Sequence, residues 1–280
     1  MVIDFMHHQP RNTRGGLLVF WIFGFFVLPK PRAGDLLSRV HPLTPRLRPI
    51  SRSRSQVVLG NDYVMEEIEV DGRVLTYKQL EGGFTQPNAG ISAKMLEWAR
   101  SAAVSDAVSD AVGEAAAPAR RNDDLLELYC GNGNFTIAMA PVFRAVLATE
   151  VSKVSVAAAR LNADANEAGN VAFARLSSEE LTLALDAGKR FSRLDDVPPL
   201  ESYDLRTVLV DPPRAGMGEE VSEFVSRFDR IVYISCNPET LAADVRTLRD
   251  THEVARFAAF DQFPYTPHLE CGALLIAKGR

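Results

Sequence analysis

From residue 124 to the C-terminus, short apolar runs alternate with amphipathic stretches, and this alternation sets the fold class. Leu125–Tyr129 reads as a strand, and a glycine-rich turn leads from it into a helix from Phe135 to about Ala140. Ala145–Thr149 is a second strand and 152–167 a helix with Val156, Ala159 and Leu161 among its apolar positions. Val171–Leu176, Thr207–Val210 and Ile231–Ile234 continue the strand series, with helices over 178–186, 219–227 and 239–249, and 188–203 reads as an exposed loop. Such alternation predicts a mostly parallel sheet with helices on both faces. Runs at 254–259 and 271–277, joined without a helical pattern, predict an antiparallel hairpin appended to that sheet. Upstream, Val57–Leu59, Ile68–Val70 and Val74–Tyr77 alternate in period two around Asp71-Gly72, a hairpin signal. Ser92 is the expected N-cap of a helix carrying Met95, Leu96 and Trp98, with the alanine-rich 101–121 as its possible extension.

Residues 1–55 break this pattern. Leu17–Leu28 is an unbroken apolar run of twelve, shorter than the ~20 residues that span a bilayer. It has the length of a signal-peptide core, yet no small-residue cleavage site follows it. Prolines at 29, 31, 42, 45 and 49 and an Arg/Ser cluster then read as an irregular basic linker. A non-native start, a disordered basic arm and a targeting segment all remain open for this stretch. The expected division is therefore 1–55 irregular, 56–90 a hairpin and loop, and 91–280 the main domain.

Charge sharpens the division. The net charge of −5 conceals nine Lys/Arg against two acids in 1–55, and 22 against 34 in the remainder. Any polyanion would have to meet a local basic surface. Three cysteines (Cys130, Cys236, Cys271) make no disulfide framework and lack zinc or iron–sulfur spacing, which points to a reducing, cytoplasmic setting without a metal. No stable membrane association is expected.

Candidate chemistry gathers at the strand ends. Glu127-Leu-Tyr-Cys-Gly-Asn-Gly-Asn-Phe135 places two glycines between a strand and a helix, where a ligand can approach the backbone. Glu150 ends the next strand, in place to bind both hydroxyls of a ribose. A third glycine in dinucleotide register and a Gly-Lys-Ser/Thr are both lacking, so a nucleoside without a pyrophosphate fits best, S-adenosylmethionine being the common one. Val210-Asp-Pro-Pro-Arg214 sets a carboxylate and two rigid prolines at another strand end, suited to a planar ring or to a plain turn. Cys236 follows the apolar strand 231–234. Alone it reads as a packing cysteine, but the helix that starts just after it favours a thiolate. Glu270 lies in the loop 260–272 among Phe263, Pro264 and Leu269, whose apolar character would raise its pKa toward a range useful to a base.

Taken together, Phe84-Thr-Gln-Pro-Asn-Ala89, Leu125–Phe135, Ala148-Thr-Glu150, Val210–Arg214, Ile234-Ser-Cys-Asn-Pro-Glu-Thr-Leu241 and Phe260–Gly272 closely resemble the RNA uracil-5-methyltransferases, in family order. The tRNA branch fits best, because the iron–sulfur cysteines usual in the ribosomal-RNA branch are lacking. The resemblance implies a class I (Rossmann-like) S-adenosylmethionine-dependent methyltransferase fold, a mostly parallel seven-stranded sheet with an antiparallel C-terminal strand. It implies that Gln86, Tyr129, Asn134, Glu150 and Asp211 line the S-adenosylmethionine pocket, that Cys236 is the nucleophile and that Glu270 is the proton acceptor. The implied reaction is methylation of C5 of uridine 54 in the T-arm of tRNA through a Cys–C6 adduct. Of the β-rich domain that family members carry ahead of the catalytic one, only the last hairpin, at about 57–77, is recognisable. The alternatives are an inactive remnant that binds RNA or cofactor, and the same chemistry on ribosomal RNA.

Overall fold

The computed structural model describes residues 2–6, 46–51, 54–58, 61–83, 85–105 and 121–279. Two compact units divide the chain, one of residues 9–64 and the other of Met1–His8 with Met65–Arg280. In chain order the strands and helices are β1 (Val2–Met6), β2 (Arg46–Ser51), β3 (Arg54–Val58), β4 (Tyr63–Val70), β5 (Arg73–Leu80), α1 (Ala89–Val104), β6 (Asp124–Leu128), α2 (Asn134–Met139), β7 (Val146–Thr149), α3 (Lys153–Ala165), β8 (Val171–Ala174), α4 (Ser178–Ala187), β9 (Leu205–Val210), α5 (Gly218–Val225), β10 (Arg230–Ser235), α6 (Pro238–Leu248), β11 (His252–Phe260) and β12 (Glu270–Ala277).

The central sheet runs β1-β11-β12-β10-β9-β6-β7-β8. Strands β6 to β10 pair in parallel, and β12 is antiparallel to both β10 and β11. Without β1 this is a mostly parallel seven-stranded sheet with a reversed last strand, the class I methyltransferase arrangement expected from the resemblance.

Three expectations need correction. The C-terminal hairpin is not appended at an edge: β12 inserts between β10 and β11, so both of its hydrogen-bonding edges are paired. Residues 1–55 are not irregular throughout, since β1 extends the sheet in parallel beside β11 and β2 pairs with β3. Helix α1 begins at Ala89, with Asn88 rather than Ser92 as its cap: the Asn88 side chain accepts a bond from the Ile91 amide. The apolar run 17–28 and the helical extension over 106–120 lie outside the described residues.

Both faces of the sheet are covered. Helices α1 and α2 bury Met95, Leu96, Trp98, Ile137 and Met139 on one side, together with Ile68, Val70, Leu75 and Tyr77 of the β4–β5 hairpin. Against the other face, α4, α5 and α6 bury Leu181, Val221, Phe224, Leu241 and Leu248. Asp71 and Gly72 have φ of 48° and 73°, the two left-handed residues of a tight hairpin turn. Arg100 ties that turn down, bonding Asp71 at 2.7 Å and the Ala138 carbonyl of α2 at 2.5 Å. Hairpin β4–β5 is thus an integral wall of the main unit.

Candidate active site

Strand pairing lines up the predicted residues. Ser235 pairs with Cys271 and Phe260 with Glu270. Continuing the first register by one step brings Cys236 level with Glu270. Val210 pairs with both Leu128 and Tyr233, and Leu128 with Thr149. Tyr129, Glu150 and Asp211 therefore follow neighbouring strands at one level, on the carboxyl edge where doubly wound sheets bind ligands.

The glycine-rich turn is held in a defined shape. Tyr129, Gly131 and Gly133 have φ of 62°, 56° and 86°, and a side chain at Gly133 would meet Ala159 and Ile137 at 3.4–3.5 Å. Glu150 accepts from the amides of Gly131 (3.2 Å) and Ser152 (2.7 Å), one on each carboxylate oxygen. This fixes the carboxylate while leaving lone pairs on both oxygens for hydroxyl donors. A Cβ at Gly131 would meet nothing within 4 Å, so there is open space over the loop. A vicinal diol, which donates two hydroxyls, suits the free lone pairs of this carboxylate, with the half-buried Tyr129 on the neighbouring strand end. Asn134 opens α2, and its carbonyl accepts from the Tyr77 hydroxyl at 2.9 Å.

Sequence reasoning missed what braces this turn. Gln79 of β5 accepts from the Asn132 side chain at 2.6 Å, and Asn162 of α3 bonds the Asn132 carbonyl at 3.1 Å. Asn162 and Asn166 also take the β5 edge amides of Lys78 (2.7 Å) and Thr76 (2.9 Å), doing for that edge what a further strand would do. The available signal was two asparagines four apart on one helix face, which by itself specifies no partner.

The thiol end is equally fixed. The Asn237 amide donates to Ser235 Oγ at 3.1 Å, closing a turn around Cys236. The Asp-Pro-Pro-Arg loop is clamped from α6. The Arg214 carbonyl accepts from Asn237 Nδ2 (3.2 Å) and Thr240 Oγ1 (3.4 Å), while Asp244 accepts from the Met217 amide (2.8 Å) and the Tyr233 hydroxyl (2.6 Å). Gln86 reaches the same region: its Oε1 accepts from Nε2 of the buried Gln262 at 2.7 Å. Gln262 lies two residues beyond Phe260, the strand partner of Glu270, so this amide pair joins the loop before α1 to the loop before β12.

The electrostatics agree with the expectation for Glu270 and run against the one for Cys236. Glu270 is the first residue of β12, only 2% exposed, and burial raises its pKa to about 7. Asp211 is raised to about 8 by burial and then by the charge of Glu270, and the buried Glu127 to about 8, chiefly by burial. Burial, then Glu270 and Asp211, push the Cys236 thiol up, and Arg214 only partly opposes them. Among the described residues no group of three or more His, Cys, Asp or Glu could hold a metal, and no helix is long and apolar enough to cross a membrane.

The family model described as tRNA (uracil-5-)-methyltransferase matches residues 35–278. This chain belongs to that family. It is 53% identical over 230 residues to the tRNA/tmRNA (uracil-C(5))-methyltransferase of Pseudomonas putida, covering 82% of this chain and 59% of that protein. The Saccharophagus degradans protein of the same name is 51% identical over the same shares. The chain thus spans about three fifths of the length of these curated relatives. Among solved structures it is similar to the Pyrococcus abyssi tRNA (uracil-54, C5)-methyltransferase in complex with S-adenosyl-L-homocysteine. There the TM-score is 0.58 and the identity 25%, over 82% of this chain and 49% of that one. A putative methyltransferase of Streptococcus mutans, 10% identical with a TM-score of 0.53, shares the fold alone. Every motif that carried the resemblance lies inside the matched range.

Proposed function

We propose that this chain is the catalytic part of an S-adenosylmethionine-dependent tRNA uracil-5-methyltransferase that acts on uridine 54 of the T-arm. Family membership and the names of its relatives support the reaction class. The observation that carries the residue assignment is the pairing register, which sets Cys236 level with a desolvated Glu270.

Gln86, Tyr129, Asn134, Glu150 and Asp211 would hold S-adenosylmethionine, which supplies an electrophilic methyl group. C5 of uracil is a weak nucleophile until a thiolate adds to C6. The Cys236 thiol gives its proton to water and its sulfur bonds C6, and the C5–C6 electron pair moves toward the O4 enolate. With the cofactor held there, C5 would be the atom that receives its methyl group, leaving S-adenosylhomocysteine. The ionised Glu270 removes the C5 proton, the pair left behind re-forms the C5–C6 double bond, and the thiolate departs. A carboxyl with pKa about 7 is suited to that proton transfer near neutral pH. The uridine has to leave its stack to reach the strand ends.

The test incubates the protein with S-adenosylmethionine and a T-arm hairpin bearing 5-fluorouridine at the target. Fluorine blocks the last proton removal, so the expected product is a stable protein–RNA adduct, absent in Cys236→Ala. An adduct that persists in Cys236→Ala overturns the nucleophile. No adduct despite intact cofactor binding favours the second reading, a remnant that binds the cofactor without turnover. Ribosomal fragments as competing substrates separate tRNA from ribosomal RNA.

A further inference from the structure

Tyr265 stands out by what the fold fails to do with it. Its accessible surface is 107% of the reference value, so the ring is fully in solvent. Its backbone is left-handed, with φ of 65°. The Thr266 amide donates to the Phe263 carbonyl at 3.2 Å, making Phe263–Thr266 a four-residue turn with Pro264 second and Tyr265 third. Proline second and positive φ third are the marks of a type II turn, whose third position favours glycine or asparagine. An aromatic residue there is strained and packs on nothing. Folding gains from neither feature.

The turn is wired to the thiol. The Phe263 ring meets His268 edge-on at 5.9 Å, and His268 Nδ1 lies 3.3 Å from an Arg214 guanidinium nitrogen. The Arg214 carbonyl is bonded by Asn237, the residue after Cys236. Three residues beyond His268 the chain has passed Glu270 and entered β12. The ring is thus carried on a turn that Phe263, His268 and Arg214 connect to the residue after the nucleophile, and the same loop runs on into the base. A flat, exposed ring held out on a fixed turn is the kind of surface on which an unstacked nucleobase stacks.

We propose that Tyr265 is an RNA-stacking residue: its ring takes the base next to the target uridine once that uridine has left the stack. This rests on the reading given under Proposed function and adds the residue that holds the neighbouring base.

Tyr265→Gly makes the test sharp, because glycine is the residue the turn prefers. The variant should melt no lower than wild type and bind S-adenosylhomocysteine equally. The concentration of 5-fluorouridine hairpin needed for half-maximal adduct should rise on the order of tenfold, the worth of one stacked base. Tyr265→Trp should remain within twofold of wild type. Hairpins abasic on the 5′ or the 3′ side of the target locate the partner. On one side the missing base should cost wild type about as much as Tyr265→Gly does, and should cost Tyr265→Gly little more. Adduct formation by Tyr265→Gly within twofold of wild type overturns the proposal, as do equal abasic losses in both proteins. A lower melting point in Tyr265→Gly with RNA capture unchanged makes the residue structural and also overturns it. Wild type that captures no hairpin overturns the methyltransferase reading itself, and this inference with it.

Discussion

Replacing Glu270 by glutamine should stabilise the fold while abolishing turnover, and the size of the gain should depend on pH. Glu270 is 2% exposed, and burial holds its pKa at about 7 instead of 4.5. In the unfolded chain it ionises near 4.5, so above that value the unfolded state sheds a proton that the folded state still keeps. The stability contributed by the protonated form is complete below about pH 4.5 and is lost as pH rises through 7. With about 1.4 kcal/mol for each tenfold in proton affinity, the ionised carboxylate costs the fold about 3 kcal/mol at pH 8. Glutamine keeps the shape and cannot ionise. Urea unfolding followed by circular dichroism should therefore place Glu270→Gln near wild type at pH 5 and up to about 3 kcal/mol above it at pH 8. S-adenosylhomocysteine binding should persist. A variant that is less stable at pH 8 would refute the reasoning. So would one that gains equally at both pH values, since the difference would then come from packing rather than from an ionised buried charge.

Three further outcomes follow from the site's charges and contacts. Asp211→Asn removes one of the charges that raise the Cys236 thiol; iodoacetamide should then label Cys236 faster at pH 9, above the Asp211 pKa of about 8 where that charge is present, as read by peptide mass spectrometry, with the buried Cys130 and Cys271 as internal controls. Gly272→Ala would drive a Cβ to 2.5 Å from the Trp98 ring; thermal unfolding should show a loss of about 1–3 kcal/mol from overpacking, and adduct formation should slow because the shifted strand begins with Glu270. Asn166→Ala removes bonds of 2.9 and 2.7 Å to the Thr76 amide and carbonyl. It should cost about 1–2 kcal/mol, and calorimetry should find S-adenosylhomocysteine bound more weakly, because the same strand carries Gln79 to the glycine-rich turn.

Strand existence was legible because buried parallel strands must be apolar, and the runs at 125–129, 207–210 and 231–234 have no other use for that composition. Strand order was not. Periodicity reports which face a residue buries but says nothing of which neighbour a strand finds, so the insertion of β12 between β10 and β11 could not be read from 254–277. Glu270 illustrates the same limit at the site. From the chain it belongs to a polar loop with apolar flanks, whereas its surroundings are set by strands that lie distant in sequence. Hairpin β4–β5 was legible from Asp71-Gly72, and its role was not. The asparagines that bind its edge are 84 and 90 residues away, and a side-chain amide on a helix carries no signal of the strand it will serve.

The state of Cys236 shows why local sequence misjudges reactivity. A helix amino end beside a thiol argues for a thiolate only if that end has amides to offer. Here Pro238 has no N–H, the Glu239 amide is taken by the Asn237 side chain at 3.1 Å, and the Asn237 amide is taken by Ser235 Oγ. The dipole that remains is worth about 0.3–1 kcal/mol, against burial and two carboxylates that act together on the thiol. The proline and asparagine that mark the strand end and start the helix in the sequence are therefore the residues that leave its amino end with little to give the sulfur. A thiol pushed up in this way reacts more slowly with solvent electrophiles. Its activation then has to come from whatever changes the balance of Glu270, Asp211 and Arg214 around it, which places control of the nucleophile in the occupied site rather than in the helix.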